Sequence, residues 1–437
     1  MQIDNITLND LSIFNRDEHL SVFHHFNFAR TSDGKDYLRK ILASPLQNIE
    51  QIKEMQALLQ RYIEVLPQWS ETISNGTIMV IDKFYQSIIN TIPYPVSRLS
   101  GISYKFFSSS DYGIVRFTVK QTTNLIYGMK QIIDLFSGKP NPKPLQKILD
   151  RIEQLLNRPL IKQISQYPVN KTLSLTETLN VGHLLQQYKQ GIKELLDIYG
   201  NLDAWYSLAM ACVHYKLIFP EITASDSPEI KAVQLYHPLL PTPVANDVAL
   251  DNRQNFLFLT GANMGGKSTF IKAVGIAAYL AHLGMGVPAK AMQISFLDGL
   301  VSNIQVTDNI LLGESYFYNE VQRVKKAIEK INDGKKWLVL IDELFKGTNV
   351  LDAMKCSTVV IEGLRKIPNS LFVLSTHLYE IGEKLKQHPN IQFRYFEIDT
   401  SNDDLQFSYQ LNEGISNDRI GYLILKREGV VDMLNKL

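Results

Sequence analysis

Cysteine is nearly absent: the 437 residues hold two, Cys212 and Cys356, too far apart for a metal-ligand pair. That scarcity argues against a disulfide framework or a zinc site and fits a reducing cytoplasm. Net charge is also nearly absent, because 45 Lys and Arg against 44 Asp and Glu leave a formal charge of +1. Global electrostatics therefore points to no partner. The opening MQIDNITLNDLSIF lacks a basic region followed by an apolar core, so it does not read as a secretory leader. The most membrane-like run, AVGIAAYLAHLGMGV from Ala273 to Val287, is shorter than the roughly 20 residues that a bilayer span needs and contains His282. It reads as a buried helix. Tandem repeats and low-complexity tracts are missing as well.

What is present is the composition of a soluble globular protein, 45% hydrophobic and 20% charged, in a chain long enough for two or three domains. From about Leu11 to Pro220 the pattern is mostly helical. LQKILDRIEQLL places Leu145, Ile148, Leu149, Ile152, Leu155 and Leu156 on one helical face. A longer pattern from about Gly182 to Leu217 has the length of a single rod-like connector. Breakers cluster in SGKPNPKP, Ser137 to Pro144, and in TASDSPEI, Thr223 to Ile230, beyond which short apolar runs alternate with helical segments. The domain boundary is therefore placed near residue 222. Within Gly101 to Lys171 basic residues outnumber acidic ones, which suits either a solvated helical surface or one that tracks nucleic-acid phosphates.

The C-terminal part carries the chemistry. TGANMGGKST, Thr260 to Thr269, follows the apolar run FLFL and leads into a helical pattern. Its G-x-x-x-x-G-K-S core is Gly261, Gly265, Gly266, Lys267 and Ser268. Glycines let such a loop curl until its N–H groups face phosphate oxygens, and the helix that follows adds its positive N-terminal end. In this arrangement Lys267 neutralises the β- and γ-phosphates and the Ser268 hydroxyl is a Mg²⁺ ligand. WLVLIDE, Trp337 to Glu343, is a buried strand ending in two acids, which places Asp342 in the metal shell and Glu343 at the attacking water. LFVLSTHL, Leu371 to Leu378, is a third apolar strand, ending in Thr376 and His377. A histidine at that edge is placed to sense the γ-phosphate or hold the water, although a lone histidine is more often structural.

The ordered series GANMGGKST, DNILLGESYFYNEV (308–321), LIDELFKGTNVLDA (340–353) and STHLYEI (375–381) closely resembles the ATPase domain of the MutS mismatch-repair family. LYHPLL (235–240), VANDVAL (244–250) and EGISNDRIGYLILKREGV (413–430) are similar to its flanking segments. RTSDGKDYLRKILASPL (30–46) and GNLDAWYSLA (200–209) look like the start of the family's helical core and its lever helix. The resemblance implies a multidomain chain: an α-helical core and lever domain over 1–222, then an ABC-type α/β P-loop NTPase domain over 223–437. It implies ATP and Mg²⁺, with Gly261, Asn263, Gly265, Gly266, Lys267, Ser268, Thr269 and Asp342 around the nucleotide and Ser268 and Asp342 at the metal. Glu343 and His377 would act in hydrolysis. Ser315, with Gly313, would be the signature element that crosses a dimer interface to the nucleotide of the partner subunit, and Gly347, Thr348 and Asp352 would join the two sites.

The departures shape the expectation. The family's mismatch-reading domain with its Phe-x-Glu wedge would precede the core, and this chain begins almost at the core, so direct mismatch reading is not expected. The distance from core to lever is short for a full DNA-clamp insertion. Pro243 falls where the family has an adenine-stacking aromatic, which implies looser base preference. Glu314 stands where an arginine precedes the signature serine, which implies slower hydrolysis. The expected function is a Mg²⁺-dependent ATPase, a homodimer or a dimer with another MutS-like chain, that binds duplex or branched DNA and couples ATP to dimer closure in mismatch repair or related processing. The alternative is a nucleotide-gated dimeric protein-interaction switch without direct mismatch recognition. A transporter motor fits poorly, since the signature is not of the LSGGQ type and no membrane-coupling segment is present.

Overall fold

Helix gives way to strand at Glu221 in the computed structural model, which describes residues 1–167, 172–262, 264–304, 316–399, 406–416 and 425–434. The N-terminal elements are α1 (Asn5–Asp10), α2 (Val22–His25), α3 (Ser32–Ala43), α4 (Ile49–Val65), α5 (Asn75–Gln86), α6 (Arg98–Phe107), α7 (Ser109–Leu135), α8 (Lys143–Leu156), α9 (Pro159–Ile164), α10 (Leu175–Gln187) and α11 (Lys189–His214). The helix read from LQKILDRIEQLL is α8. It is capped by Pro142, carries Pro144 in its first turn, and buries Leu145, Leu149, Ile152, Leu155 and Leu156, the stripe that its spacing predicts. Serine side chains cap α5, α6 and α10 at Ser74, Ser97 and Ser174, each closing a capping box.

The expected single rod between Gly182 and Leu217 is two helices. The break falls at Tyr188, which leaves helical geometry at φ −101°, ψ 24°. A Cβ on Gly191 would lie 2.1 Å from Tyr188 Cζ, so the tyrosine ring folds back over a residue that has no side chain. Apolar spacing alone runs through such a break, because both helices present the same residue types to the same core.

By contacts, Phe26–Ser44 and Glu54–His214 form one unit, and Met1–His25, Pro45–Lys53 and Tyr215–Leu437 the other. In the first, α11 is buried along most of its length and meets α3. The two motifs quoted for the helical core join there. Asp203 of GNLDAW, fully buried, accepts from the backbone N–H groups of Arg30 and Thr31 and, at 2.6 Å, from the Thr31 hydroxyl. Gly34 of RTSDGK is required by that approach, since a Cβ there would lie 2.2 Å from Asp203 Oδ2.

The second unit contains β1 (Glu221–Thr223), β2 (Ile230–Leu235), β3 (Asn246–Leu250), β4 (Phe256–Thr260), α12 (Lys267–His282), β5 (Ala291–Ser295), β6 (Gly299–Asn303), α13 (Tyr316–Ile331), β7 (Trp337–Asp342), α14 (Val350–Leu364), β8 (Ser370–Ser375), α15 (Tyr379–Leu385), β9 (Ile391–Asp399) and β10 (Gln406–Glu413). The larger sheet has the order β10-β9-β4-β8-β7-β6; all its neighbours are parallel except β10, which pairs antiparallel with β9. The smaller sheet has the order β1-β5-β2-β3. β4, β7 and β8 are buried at every position, as parallel strands covered on both faces must be.

The division at residue 222 groups the first 25 residues with the helices, whereas their contacts are with the sheet. Thr7 and Asp10 of α1 satisfy the edge strand β6: Ser302 N donates to Thr7 Oγ1 at 3.0 Å, and Ser302 Oγ and Ile304 N donate to Asp10 Oδ2. Composition carries no sign of that pairing, which is made across most of the chain's length. The apolar run beginning at Ala273 lies within α12 and its C-terminal turn and is buried, as expected. His282 is buried there with its Nε2 accepting from Leu297 N at 2.9 Å, and burial lowers its pKa to about 4. Among the described residues no helix is long and apolar enough to cross a membrane.

Candidate functional site

β4 lies between β9 and β8, and the chain leaves its C-terminal end through the glycine-rich turn into α12. Open α/β sheets bind ligands at such a point, where the chain turns to opposite sides of the sheet. The turn needs its glycines individually. Gly261 has φ 122° and a Cβ there would meet Phe396 O at 3.0 Å; Gly266 has φ 105°, caps α12, and a Cβ there would meet the Tyr409 ring at 3.3 Å. Gly265 passes 3.2 Å from Ala262 O by the same measure. Met264 is also left-handed, at φ 69°. Left-handed residues set among ordinary ones turn backbone N–H groups to one side of a loop, a geometry that suits an anion.

Lys267 starts α12 and is only 5% exposed. Its Nζ donates to Gly261 O at 2.7 Å and Ala262 O at 2.9 Å and lies 3.5 Å from His377 Nδ1. Burial lowers its pKa to about 8, against the opposing pull of Glu343 and Asp342. Lys267, exposed Ser268 and half-buried Thr269 line a cavity of about 550 Å³, a size that holds a ligand as large as a nucleotide. Tyr236 and His237 after β2, with Phe396 and Tyr409 from β9 and β10, form much of its remaining wall. Burial also lowers the His237 pKa, to about 4.

The two acids diverge at the end of β7. Asp342 is 8% exposed and pairs in register with Ser375 of β8, whose hydroxyl donates to Asp342 Oδ1. Glu343 leaves the strand at φ 64° and reaches the cavity. Its carboxylate lies 2.5 Å from His377 Nε2 and 3.1 Å from Lys346 Nζ. Burial alone would raise its pKa; His377 and Lys346 outweigh burial and hold it near 2. β8 lies between β4 and β7, so its end delivers His377 to both Lys267 and Glu343.

The structure thus brings together Gly261, Gly265, Gly266, Lys267, Ser268, Thr269, Asp342, Glu343 and His377. Asn263 and Ser315, with Gly313 and Glu314, lie outside the described residues. Thr348 precedes α14, and Asp352 stands in its first turn, where its N–H is capped by Asn349 Oδ1 at 3.0 Å. Pro243 does not line the cavity; the aromatic faces there are those of Tyr236, Phe270, Phe396 and Tyr409. Of the C-terminal motif, Ser416 donates its N–H to Thr260 Oγ1 at 2.9 Å, beside the start of the glycine turn.

Sequence reasoning missed Lys346, Tyr409 and Glu320. Glu320 of α13 is 2% exposed, and its carboxylate accepts from Lys346 N at 3.0 Å and Gly347 N at 3.1 Å. Phe345, left-handed at φ 59°, packs on Phe317 of the same helix with ring centroids 5.7 Å apart. α13 therefore grips the loop that follows Glu343. An acid in an amphipathic helix usually faces water, so the sequence offered no sign of this role. Glu320→Ala is expected to cost about 1–3 kcal/mol of stability, since it strands two backbone donors, while Glu320→Gln keeps one acceptor and costs less. Urea unfolding of both variants checks the order.

A mostly parallel sheet, a glycine cradle around a buried lysine, and paired acids two strands away define this α/β domain. Its residues 257–433 match the family model for MutS domain V. Over this segment the chain is similar to the MutS family. It is 29% identical over 289 residues to the DNA mismatch repair protein MutS of Petrotoga mobilis, covering 65% of this chain and 34% of the relative. With the DNA mismatch repair protein MutS of Thermosipho melanesiensis it shares 30% identity over 252 residues, 57% of this chain and 30% of the relative. The DNA mismatch repair protein msh3 of Emericella nidulans is 29% identical over 244 residues, 53% of this chain and 22% of the relative. The chain spans about a third or less of the length of these curated relatives.

Proposed function

We propose that the chain is a Mg²⁺-dependent P-loop ATPase of the MutS type that acts on DNA and couples nucleotide binding and hydrolysis to closure of a dimer. The observation that carries this reading is Lys267, an ammonium buried at the edge of a 550 Å³ cavity beneath a left-handed glycine turn. An anion with several oxygens would replace the two backbone carbonyls that now hold it. The turn's N–H groups and the α12 N-terminus would bind the phosphates, and Tyr409 and Tyr236 would meet the base. Asn263 would lie near the γ-phosphate.

The donor set fits a hard divalent cation: the exposed Ser268 hydroxyl and the Asp342 carboxylate are oxygen ligands, and phosphates and water complete such a shell. When bound, Mg²⁺ would supply charge neutralisation at the phosphate oxygens. Glu343 would orient and deprotonate the attacking water, a role it can take once Lys346 and His377 loosen their hold. His377, which reaches both Lys267 and Glu343, would couple that release to the arriving phosphate. Ser315 would complete the partner subunit's site.

The DNA-directed part rests on the relatives, which are named as mismatch repair proteins. Hydrolysis should rise on one or more of homoduplex, mismatched duplex, four-way junction and single strand, measured at several salt concentrations because phosphate contacts are strongly screened. Purified chain that neither hydrolyses ATP nor binds any of the four at low salt rules the proposal out. ATP binding and dimer closure with a flat response to all four would favour a nucleotide-gated protein-interaction switch instead.

A further inference from the structure

The helical unit carries an apolar face that no described residue covers. α6 turns Gly101 and Tyr104 inward: a Cβ on Gly101 would lie 3.4 Å from the Leu175 side chain, and Tyr104 Oη donates to Asn90 O at 3.1 Å. Its other face presents Leu99, Ile102 and Phe106, which are 81%, 60% and 79% exposed. Phe107, at the corner into α7, is 81% exposed, and its ring meets that of Phe106 edge-on at 5.3 Å. Further along α7, Phe117 stands exposed between Arg116 and Lys120. Large apolar rings in water are unfavourable, and the α6 face together with Phe107 marks a binding surface.

The charge around these rings selects the occupant. From Lys83 to Lys130 the chain has six basic residues and one acid, Asp111. That acid accepts from Asn90 N at 3.0 Å. A second copy laid on the same face would set Arg98 and Lys105 against their counterparts, a like-charge contact. A polyanion with flat apolar rings fits both features. Nucleic acid offers such rings only where its bases are unpaired, because a duplex buries their faces in the stack.

We propose that the α6–α7 corner binds unpaired nucleotides of DNA, with Phe106 and Phe107 stacking on bases and Arg98, Lys105 and Arg116 contacting phosphates. This inference rests on the DNA-directed reading above. It assigns the helical unit a preference for single-stranded or locally opened DNA that charge alone does not supply.

The test uses the full chain and fluorescence anisotropy with labelled oligothymidine, a plain duplex, and the same duplex carrying a central bubble. Phe106→Ala with Phe107→Ala should weaken oligothymidine and bubble binding by about tenfold or more, leaving duplex affinity and ATP binding unchanged. Lys105→Gln with Arg116→Gln should weaken all three and flatten the salt dependence. Both pairs are exposed, so folding should survive, and circular dichroism checks it.

Unchanged oligothymidine binding by the phenylalanine variant overturns the proposal. So does wild-type binding to phosphatidylserine vesicles without binding to oligothymidine, which would make the face a lipid surface. A variant that only lowers the sedimenting mass would make it a contact between copies. Wild type that binds duplex but not oligothymidine ends this inference and leaves the proposed function standing; binding to no DNA at all ends both.

Discussion

Lys267→Ala is expected to abolish measurable ATP binding at ordinary concentrations. The lysine is buried, its ammonium is oriented by two carbonyls, and a triphosphate would meet it where water is largely excluded. Truncating one partner of such a charge pair costs about 2–5 kcal/mol, or roughly 30- to 5000-fold in Kd. Fluorescent-nucleotide titration measures it, and retained affinity would show that the loop serves another purpose. The pH dependence has a definite sign. Burial holds the free Lys267 near pKa 8, whereas bound phosphate would raise it. Below about 8 the ammonium is charged in both states and Lys267 adds no pH dependence to the affinity. Above about 8, binding takes up a proton and Kd rises by about tenfold per pH unit until the pKa of the bound state is reached. Calorimetry at alkaline pH in two buffers of different ionisation enthalpy reads the proton directly; equal heats would contradict the linkage.

Glu343→Gln should leave ATP binding nearly intact and reduce hydrolysis by about 10²- to 10⁴-fold, the usual contribution of a positioned base. The glutamine keeps the shape and an acceptor oxygen but cannot take the proton. His377 and Lys346 outweigh burial and keep this carboxylate ionised down to about pH 2, so it does not titrate between about pH 5 and 8. The variant also tests the two-chain site. Mixing Glu343→Gln chains with Ser315→Ala chains should restore one active site per mixed dimer, because the intact serine and intact glutamate then meet. If mixed dimers form and stay inactive, the composite site is not made this way.

Lys267 and Glu343 were legible because their contexts are local. A strand, a glycine turn and a helix are contiguous in sequence, and the conformations of Gly261 and Gly266 are of the kind that demands glycine. WLVLIDE is likewise a strand with its acids attached. Lys346 escaped notice because an exposed-looking lysine three residues past an acid is common, and only the folded loop brings it onto Glu343. Glu320 was hidden by its helix and Tyr409 by its strand. The Tyr188 break was masked by continuous apolar spacing on both sides.

By itself the sequence determined the parts: an apolar strand before the glycine turn, acids at the end of a second strand, a histidine at the end of a third, and helices upstream. Their periodicity and turn chemistry act within a few residues and need no tertiary context. Tertiary structure alone decided the neighbours. Sheet order put β8 between β4 and β7, which set Ser375 on Asp342 and His377 between Lys267 and Glu343. It also sent α1 to the edge of β6 and Asp203 to Thr31. Those pairings join residues far apart along the chain through hydrogen bonds and burial that exist only once strands and helices have met.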